Sequence, residues 1–139
     1  MLIFQKYQLK IIKNEKAVYS FAELKDYIDF DVKRVYSIQD CSGATGQHCH
    51  KQEKEFFMMQ CGSCVAIIDQ GKGKEDIVLR GPGDAIYVGN YVWHGFKNFS
   101  PNALLIALSS TNYNPSRADY IEDYQQYIKL IQENMNLNE

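Results

Sequence analysis

The chain has 139 residues and a formal net charge of −2, with 15 lysine and arginine residues against 17 aspartate and glutamate residues. This mildly acidic balance excludes the basic surface on which binding to a nucleic-acid polymer depends. Apolar residues make up 45% of the sequence and aromatic residues 13%, a composition typical of a soluble globular protein and not of a disordered chain. One domain is therefore expected to span residues 1–139.

The N-terminal segment and the cysteines indicate the compartment. Polar residues interrupt the first run, MLIFQKYQLKIIK, so it lacks the continuous apolar core of a secretory signal peptide. The longest apolar run, 103–108, is far shorter than the roughly 18 apolar residues that cross a membrane. The four cysteines are expected as free thiols, since disulfides are rare in reducing compartments. These features predict a cytoplasmic protein.

Residues 1–110 carry the pattern of an all-β domain. Short apolar or alternating runs recur at intervals of about ten residues, a spacing typical of an antiparallel sandwich or barrel. Turn segments that contain glycine separate these runs at 41–46, 70–74 and 80–84. One early segment, 21–28, fits either a helical turn or an irregular strand.

A CxxC pattern, Cys61-Gly-Ser-Cys64, raises the alternatives of a redox pair or half of a zinc site. No helical pattern follows it, and the sequence contains no second CxxC. Strand-like runs flank it at 55–60 and 64–69. The pattern therefore favours a hairpin turn with two thiols that face each other.

After residue 109 the periodicity changes to that of a helix. Apolar side chains recur at three- and four-residue steps, namely at Tyr120, Ile121, Tyr124, Tyr127, Ile128 and Ile131. Ser116 followed by Asp119 is a helix start signal. We therefore predict a β-barrel over about 1–112 and a C-terminal amphipathic helix over about 116–134. The aromatic face of this helix is expected to pack on the β core or on a second subunit.

All three histidines lie in two short segments, 43–62 and 83–98. Because side chains alternate along a strand, His48 and His50 are expected on one face and Cys49 on the other. Two adjacent imidazoles serve as a metal-ligand pair or as a pair that transfers protons near neutral pH. The candidate site is therefore centred on His48 and His50.

The two histidine segments resemble the sequence motifs of the cupin superfamily. The first motif, His-x-His followed by glutamate and then glycine, stands at His48, His50, Glu55 and Gly62. The second motif lies at 83–98 and includes His94, with Gly89 and Tyr91 where proline and glycine are usual. The resemblance implies an all-β cupin jelly-roll β-barrel of antiparallel strands with the histidines at its mouth, followed by the C-terminal amphipathic helix.

Many cupins hold a divalent metal ion with the residues of these motifs. The ligands that the resemblance implies in this sequence are His48, His50, Glu55 and His94. Three imidazoles and a carboxylate suit iron, manganese, nickel or zinc. One interpretation is therefore a small metal-dependent cupin enzyme, either a dioxygenase or an isomerase.

A narrower resemblance covers about residues 8–130 and points away from a metal. The segments KRVY at 33–36, HCHK at 48–51, LSSTNY at 108–113 and DYI at 119–121 are similar to those of the TDP-4-oxo-6-deoxyglucose 3,4-ketoisomerases, a family related to the dTDP-sugar 3,5-epimerases. This resemblance implies a homodimeric isomerase without a cofactor. The implied reaction converts TDP-4-oxo-6-deoxyglucose to a TDP-3-oxo-6-deoxyhexose through an enediol, in the biosynthesis of 3-amino-3,6-dideoxy sugars.

The resemblance to the ketoisomerases assigns catalytic roles to Tyr36, His48 and His50. The C4 ketone of the substrate acidifies the hydrogen at C3, and a base must remove it and return it at C4. Imidazole accepts and returns protons near its ordinary pKa of about 6.5. A tyrosine hydroxyl orients the substrate or donates a proton to it.

A nucleotide diphosphate needs cationic side chains, above all guanidinium groups. Arg34 and Lys51 flank the histidines and are the predicted diphosphate contacts. Arg80 is a further candidate, although its turn position also suits a solvated charge. In the ketoisomerase interpretation His94 lines the sugar pocket. The Arg-Gly pair usual before His-x-His is Thr-Gly at 45–46, which leaves the sugar and the C4 configuration of the product open.

The third interpretation is a non-catalytic cupin module that binds or senses a sugar. Such a module would use the same pocket without catalysing a reaction. The three interpretations differ in what the protein does to a nucleotide sugar. A ketoisomerase turns over without metal, a metal-dependent enzyme needs the ion, and a binding module exchanges no proton with its ligand.

Overall fold

The computed structural model describes residues 2–137, which form two antiparallel sheets, a separate hairpin and a C-terminal helix. The strands are β1 (Phe4–Gln8), β2 (Lys10–Lys13), β3 (Val18–Phe21), β4 (Arg34–Gln39), β5 (Ala44–His50), β6 (Glu55–Cys61), β7 (Ser63–Asp69), β8 (Lys74–Arg80), β9 (Asp84–Val88), β10 (Trp93–Lys97), β11 (Leu104–Ser109) and β12 (Tyr120–Ile121). A 3-10 helix covers Leu24–Asp26, and helix α1 covers Tyr124–Leu137. The predicted all-β class with one C-terminal helix is confirmed.

Each sheet has five strands, and their order in space departs from their order in the chain. The first sheet runs β1-β9-β6-β11-β4 and the second runs β12-β5-β10-β7-β8, while β2 pairs only with β3. Pairing of strands distant in sequence, as in a jelly roll, closes a sandwich around one core. Phe57, Met59, Ile68, Leu79 and Leu105 fill this core and are each at most 1% exposed. Burial of one such side chain contributes roughly 1.5–3 kcal/mol.

The hairpin predicted at the CxxC pattern is wrong. β6 belongs to the first sheet and β7 to the second, so the turn at Gly62 carries the chain across the sandwich. Cys61 lies opposite Leu104 and is exposed, whereas Cys64 lies opposite Leu79 and is buried. All four cysteines are free thiols. The sequence locates the turn correctly, but a hairpin and a crossover between sheets use the same turn residues.

Gly62→Ala is expected to destabilise the fold more than the matched change Gly43→Ala. Both glycines have positive φ, +69° and +84°, where a Cβ costs roughly 1–2 kcal/mol. A Cβ at Gly62 would also lie 2.9 Å from the Cα of Ala103, whereas nothing lies within 4 Å of a Cβ at Gly43. In urea unfolding, the free energy of unfolding of Gly62→Ala should therefore be about 1–3 kcal/mol lower than that of Gly43→Ala. Equal losses for the two variants would contradict this packing of the crossover.

Residues 22–32 cover the outer face of the first sheet. Segment 21–28 contains a helical turn, the 3-10 helix that follows β3, which was one of its two predicted forms. The ring of Tyr27 stacks on Phe56 with 5.6 Å between centroids. The hydroxyl of Tyr87 donates a hydrogen bond of 2.7 Å to Asp29. These contacts give the first sheet a second layer of apolar packing on the side away from the core.

The predicted start of the C-terminal helix is wrong. Helix α1 begins at Tyr124, about two turns later than expected, and the segment before it forms β12 against β5. Asp119 explains the difference, because its carboxylate accepts the backbone N–H groups of Gln52 and Glu53 at 2.6 and 3.1 Å instead of capping a helix. The helix starts where the Asp123 carboxylate accepts a backbone N–H of the first turn.

The apolar face of α1 packs on the outer face of the second sheet. Tyr127 and Ile131 are buried beside Trp93. The Tyr127 hydroxyl donates to the backbone carbonyls of Asp69 and Tyr91 at 3.1 and 2.7 Å. This face was predicted to pack on the β core or on a second subunit, and in the structure it packs on the β core of the same chain. Neither of the helices within residues 2–137 has the length and apolar character that crossing a membrane requires.

Candidate active site

A cavity of about 460 Å³ lies between the two sheets and is lined by all three histidines. Its apolar lining comes from Ile38, Phe57 and Phe96. Strands β4, β5, β6 and β10 and the segment before β12 supply most of the lining side chains. The structure brings five of the predicted site residues to this cavity, namely Arg34, Tyr36, His48, His50 and His94.

The histidines come together because β5 pairs with β10. His48 lies directly opposite His94 in the register. The centroid of the His48 ring lies 4.7 Å from that of His50 and 4.8 Å from that of His94. Alternation along β5 turns Cys49 the other way, into the packing beneath α1. The strand face predicted to carry His48 and His50 therefore lines the cavity.

A close approach of two backbones sets this arrangement. A Cβ at Gly46 would lie 2.9 Å from the Cα of Gly95, so glycine allows β5 and β10 to touch there. The register shifts between His94 and Gly95, and Gln47 adopts φ +70°. Irregularities of this kind redirect side chains along a strand. The register shift lies next to the pair formed by His48 and His94, at the three histidines.

A buried carboxylate, Glu55, lies among the site residues with 1% exposure. Its Oε1 lies 3.2 Å from Nε2 of His50 and 3.3 Å from Nε2 of His94. Its Oε2 accepts a hydrogen bond from the Tyr36 hydroxyl. Burial acts to raise the pKa of Glu55, but the two imidazoles outweigh it and hold the pKa well below its usual value. Glu55 is therefore an anion in contact with three predicted site residues.

A second buried carboxylate, Glu53, connects His50 to Arg34. Its Oε2 lies 3.2 Å from Nε2 of His50, and its Oε1 accepts hydrogen bonds from Nη2 of Arg34 and the hydroxyl of Thr111 at 2.6 and 2.7 Å. Burial and the charge of Glu55 raise the pKa of Glu53. The guanidinium of Arg34 is thus fixed on the cavity wall by a carboxylate that also contacts a histidine.

His48 and His50 have pKa shifts of opposite direction. Burial, together with His94 and His50, lowers the pKa of His48 from 6.5 to about 3, so this imidazole is neutral at physiological pH. Burial also acts to lower the pKa of His50, but Glu55 and two further carboxylates outweigh it and raise the pKa above 6.5. The pair therefore combines a neutral imidazole with one that holds its second proton more tightly.

Strand β12 and the residue before it supply two groups that the predicted helix had left out of the site. Oδ2 of Asp119 lies 3.3 Å from Nδ1 of His50. The ring of Tyr120 packs edge-on against both His48 and His50, with centroids 4.8 and 4.4 Å apart. Neither residue was predicted as a site residue. The DYI segment that carries part of the family resemblance was the available signal.

Arg117 and Tyr113 line the cavity from the exposed segment before β12. The Arg117 guanidinium lies 3.8 Å from the ring centroid of Tyr120 and also donates to Glu122. Tyr113 is 54% exposed, and the guanidinium of Arg34 lies 5.7 Å from the centroid of its ring. Neither Arg117 nor Tyr113 was predicted as a site residue. The sequence signals were the scarcity of arginine in this chain and the position of Tyr113 at the end of the LSSTNY segment.

Lys51 and Arg80 do not line the cavity. Lys51 is exposed in the turn after β5, where its backbone N–H bonds to the carbonyl of Asp119 at 2.9 Å. Arg80 is exposed at the end of β8, where its backbone N–H bonds to Asp84 at 2.8 Å. Within residues 2–134, whose side chains the structure describes, the cationic side chains lining the cavity are Arg34 and Arg117.

The four residues of the metal interpretation come together at the cavity wall, where Glu55 lies behind the lining histidines. Ligand atoms of His48, His50, Glu55 and His94 lie within 4.8 Å of one another. Three imidazoles and a carboxylate form a donor set that suits a divalent transition metal. These residues therefore fit such an ion and would hold it, and Glu55 also accepts the hydrogen bond of the Tyr36 hydroxyl.

Comparison with known proteins gives consistent matches over nearly the whole chain. A family model described as FdtA: WxcM-like, C-terminal matches residues 4–132. A relative from Aneurinibacillus thermoaerophilus, TDP-4-oxo-6-deoxy-alpha-D-glucose-3,4-oxoisomerase, is 36% identical over 124 residues, which cover 88% of this chain and 87% of the relative.

Solved structures share the fold. The WlaRB TDP-quinovose 3,4-ketoisomerase from Campylobacter jejuni is 32% identical with a TM-score of 0.80, over 91% of this chain and 97% of that chain. A histidine-to-asparagine variant of the 3,4-ketoisomerase QdtA from Thermoanaerobacterium thermosaccharolyticum, in complex with TDP-4-keto-6-deoxyglucose, is 26% identical with a TM-score of 0.82, over 94% of each chain. By the family match and the 36% identical relative, the chain belongs to the FdtA family, WxcM-like, C-terminal.

Proposed function

We propose that this protein is a nucleotide-sugar 3,4-ketoisomerase that converts TDP-4-oxo-6-deoxyglucose to a TDP-3-oxo-6-deoxyhexose without a metal ion. The observation that carries the proposal is the adjacent pair of imidazoles with opposite pKa shifts, His48 and His50. The similarity to named 3,4-ketoisomerases supports the same reaction class. The 3-oxo product is the form that a transaminase needs in order to install a 3-amino group.

His48 is the base that acts on carbon. The electron pair of the C3–H bond forms the C3=C4 double bond, the proton moves to His48, and the C4 oxygen takes up a proton to give an enediol. His48 is neutral and half-buried on the cavity wall, so its imidazole is free to accept a proton from a bound sugar. In the second step the same ring, after its proton has exchanged with solvent, delivers a proton to C4.

His50 and Tyr36 serve the oxygen atoms of the substrate. Protonation of C4 must be matched by loss of the proton on the C3 oxygen, which passes to His50 and leaves the ketone at C3. His50 contacts carboxylates through both ring nitrogens and holds the proton that the C4 oxygen needs. Burial and the charge of Glu55 raise the pKa of Tyr36, so its hydroxyl stays protonated and orients the substrate as a hydrogen-bond donor.

Arg34 and Arg117 bind the nucleotide diphosphate, while His94 lines the sugar pocket. Both guanidinium groups border the same cavity, and planar guanidinium groups bind phosphate oxygens in pairs. The exposed ring of Tyr113 beside Arg34 offers a surface on which the thymine base stacks. This assignment replaces the predicted contacts Lys51 and Arg80, which lie outside the cavity.

Arg117→Ala is expected to raise KM and the Kd for TDP by about tenfold or more, because one charge-assisted contact to phosphate is worth roughly 1.5–3 kcal/mol. The turnover number should change little, since Arg117 lies away from the reacting carbons in this assignment. Arg80→Ala removes the same side chain at a position outside the cavity and serves as the matched control. Titration calorimetry with TDP measures both variants, and equal affinities would contradict the assignment of Arg117.

One experiment tests the proposed function. EDTA-treated protein is incubated with TDP-4-oxo-6-deoxyglucose in deuterated water, and the product is examined by NMR. The expected result is a 3-oxo sugar that carries deuterium at C4. Turnover restored only by added metal would overturn the proposal in favour of a metal-dependent enzyme. Tight binding without any exchange would overturn it in favour of a non-catalytic module.

A metal-dependent enzyme is the second candidate function, because His48, His50, Glu55 and His94 place four ligand atoms within 4.8 Å of one another. An ion held there would supply Lewis-acid stabilisation of negative charge on a substrate oxygen. In that candidate Tyr36 still orients the substrate, and Arg34 still binds an anionic group.

We also propose a homodimer in the cytoplasm. The hairpin of β2 and β3 pairs with neither five-stranded sheet, and Ile12, Tyr19 and Phe21 on one of its faces are each at least 41% exposed. A contiguous apolar surface of this kind favours contact with a second copy of the chain. Free thiols throughout the chain support a reducing compartment.

A further inference from the structure

We propose that Glu55 is a positioning residue that holds Tyr36, His50 and His94 in the arrangement required for proton transfer. This inference rests on the proposed ketoisomerase function and extends it. In the metal interpretation Glu55 is one of four ligands. The proposed ketoisomerase reaction assigns roles to Tyr36, His48 and His50 but none to Glu55. The contacts of its two oxygens supply that role.

The two oxygens of Glu55 serve different parts of the site. Oε2 accepts the hydrogen bond of the Tyr36 hydroxyl. Oε1 lies between two imidazoles, 3.2 Å from Nε2 of His50 and 3.3 Å from Nε2 of His94. One carboxylate therefore fixes the hydroxyl proposed to orient the substrate, one of the two catalytic imidazoles, and a ring that lines the sugar pocket.

The four side chains come from four different strands. Glu55 lies on β6 and Tyr36 on β4, both in the first sheet, whereas His50 and His94 lie on β5 and β10 in the second. The carboxylate thus connects the two sheets across the cavity. A shift of one sheet against the other would otherwise move the tyrosine relative to the histidines, and errors of about 1 Å in such a site cost roughly 100-fold in rate.

Stability alone does not account for a charge at this position. The neighbours of Glu55 on β6, Phe56 and Phe57, are buried apolar side chains, and an apolar residue would avoid the cost of burying a carboxylate. Buried ion pairs are often no more stabilising than apolar packing of the same volume. The contacts of Glu55 with Tyr36, His50 and His94 are therefore better explained by the reaction than by the fold.

The inference is tested with Glu55→Gln, which keeps the shape of the side chain and removes its charge. We expect kcat to fall at least about 100-fold, with the Kd for TDP changed less than threefold and thermal unfolding still cooperative. Glu75→Gln makes the same chemical change at an exposed position of β8 and should leave kcat unaltered. A Glu55→Gln enzyme with kcat within threefold of wild type would overturn the inference.

A double-mutant cycle distinguishes positioning from a general structural role. If Glu55 acts through Tyr36, then the kcat of the double variant Tyr36→Phe, Glu55→Gln should be hardly lower than that of the less active single variant. Losses that multiply would overturn the inference.

A second cycle applies even if Glu55→Gln does not fold. Tyr36→Phe and His94→Asn remove groups on the two sides of an intact Glu55, and their effects on kcat should be coupled and not multiplicative. Independent effects would overturn the inference. Wild-type enzyme in the same assay separates the two proposals: inactive wild type contradicts the proposed function, whereas active wild type with uncoupled variants contradicts only the role of Glu55.

Discussion

His48→Asn is expected to lower kcat by about 1,000-fold, because general acid–base catalysis by one positioned side chain contributes roughly 100- to 10,000-fold. The variant removes the neutral imidazole that accepts the C3 proton in the proposed reaction. Asparagine keeps a polar side chain of similar size on the cavity wall. The Kd for TDP should therefore stay within about threefold of wild type, since the proposed phosphate contacts are two other side chains of the cavity, Arg34 and Arg117.

His50→Asn is the companion variant and should also lose turnover by orders of magnitude. Initial rates by NMR and titration calorimetry with TDP separate the loss of chemistry from a loss of binding. Deuterium exchange at C3 adds a second readout, because His48→Asn should abolish the exchange itself. A double variant of His48 and His50 that still isomerises the sugar would contradict the mechanism.

The sequence was sufficient to predict those parts of the fold that depend on local periodicity. Strand alternation placed His48 and His50 on one face, and the structure finds both on the cavity wall. The partner of each strand was not predictable in this way. β6 and β7 look like a hairpin in sequence, yet β6 pairs with β9 and β11 while β7 pairs with β8 and β10. Such pairings depend on contacts between residues far apart in the chain.

The segment before α1 shows why part of the site was missed. Its apolar spacing continues that of the helix, but Asp119 bonds to backbone N–H groups of the turn after β5 and holds Tyr120 extended. Two backbone hydrogen bonds of this kind, each worth roughly 0.5–1.5 kcal/mol, are enough to override a weak helical preference. Arg117 and Tyr120 therefore line the cavity, although the predicted helix gave them no role there.

The carboxylates explain how one cluster of residues fits two different chemistries. An ion at the centre of His48, His50, Glu55 and His94 and a proton shared among them would both balance the negative charge of Glu55. The additional carboxylates Glu53 and Asp119 contact His50 but lie outside this ligand set. Without an ion, these contacts favour a His50 that holds a second proton. With an ion on Nε2 of His50, Asp119 on Nδ1 would orient the same ring.

Acid should destabilise the His48→Asn protein less than it destabilises wild type. The folded-state pKa of His48 is about 3, well below the value of 6.5 expected for the unfolded chain. Its contribution to stability is therefore complete above pH 6.5 and is lost as the pH falls toward 3. The loss approaches about 1.4 kcal/mol per pH unit, or about 2 kcal/mol between roughly pH 7.5 and 5. Urea unfolding at the two pH values measures it.

His50→Asn should change the acid dependence of the free energy of unfolding in the opposite direction. The pKa of His50 is raised in the folded state, so its contribution to stability is fully present below the unfolded pKa and is lost as the pH rises through the folded value. Removal of His50 should therefore make the protein more sensitive to acid than wild type, whereas removal of His48 makes it less sensitive. The two residues are separated by a single position on one strand, so a general effect of cavity mutations would move both variants in the same direction. Shifts of the same sign would contradict the division between a neutral and a proton-holding imidazole on which the proposed reaction depends.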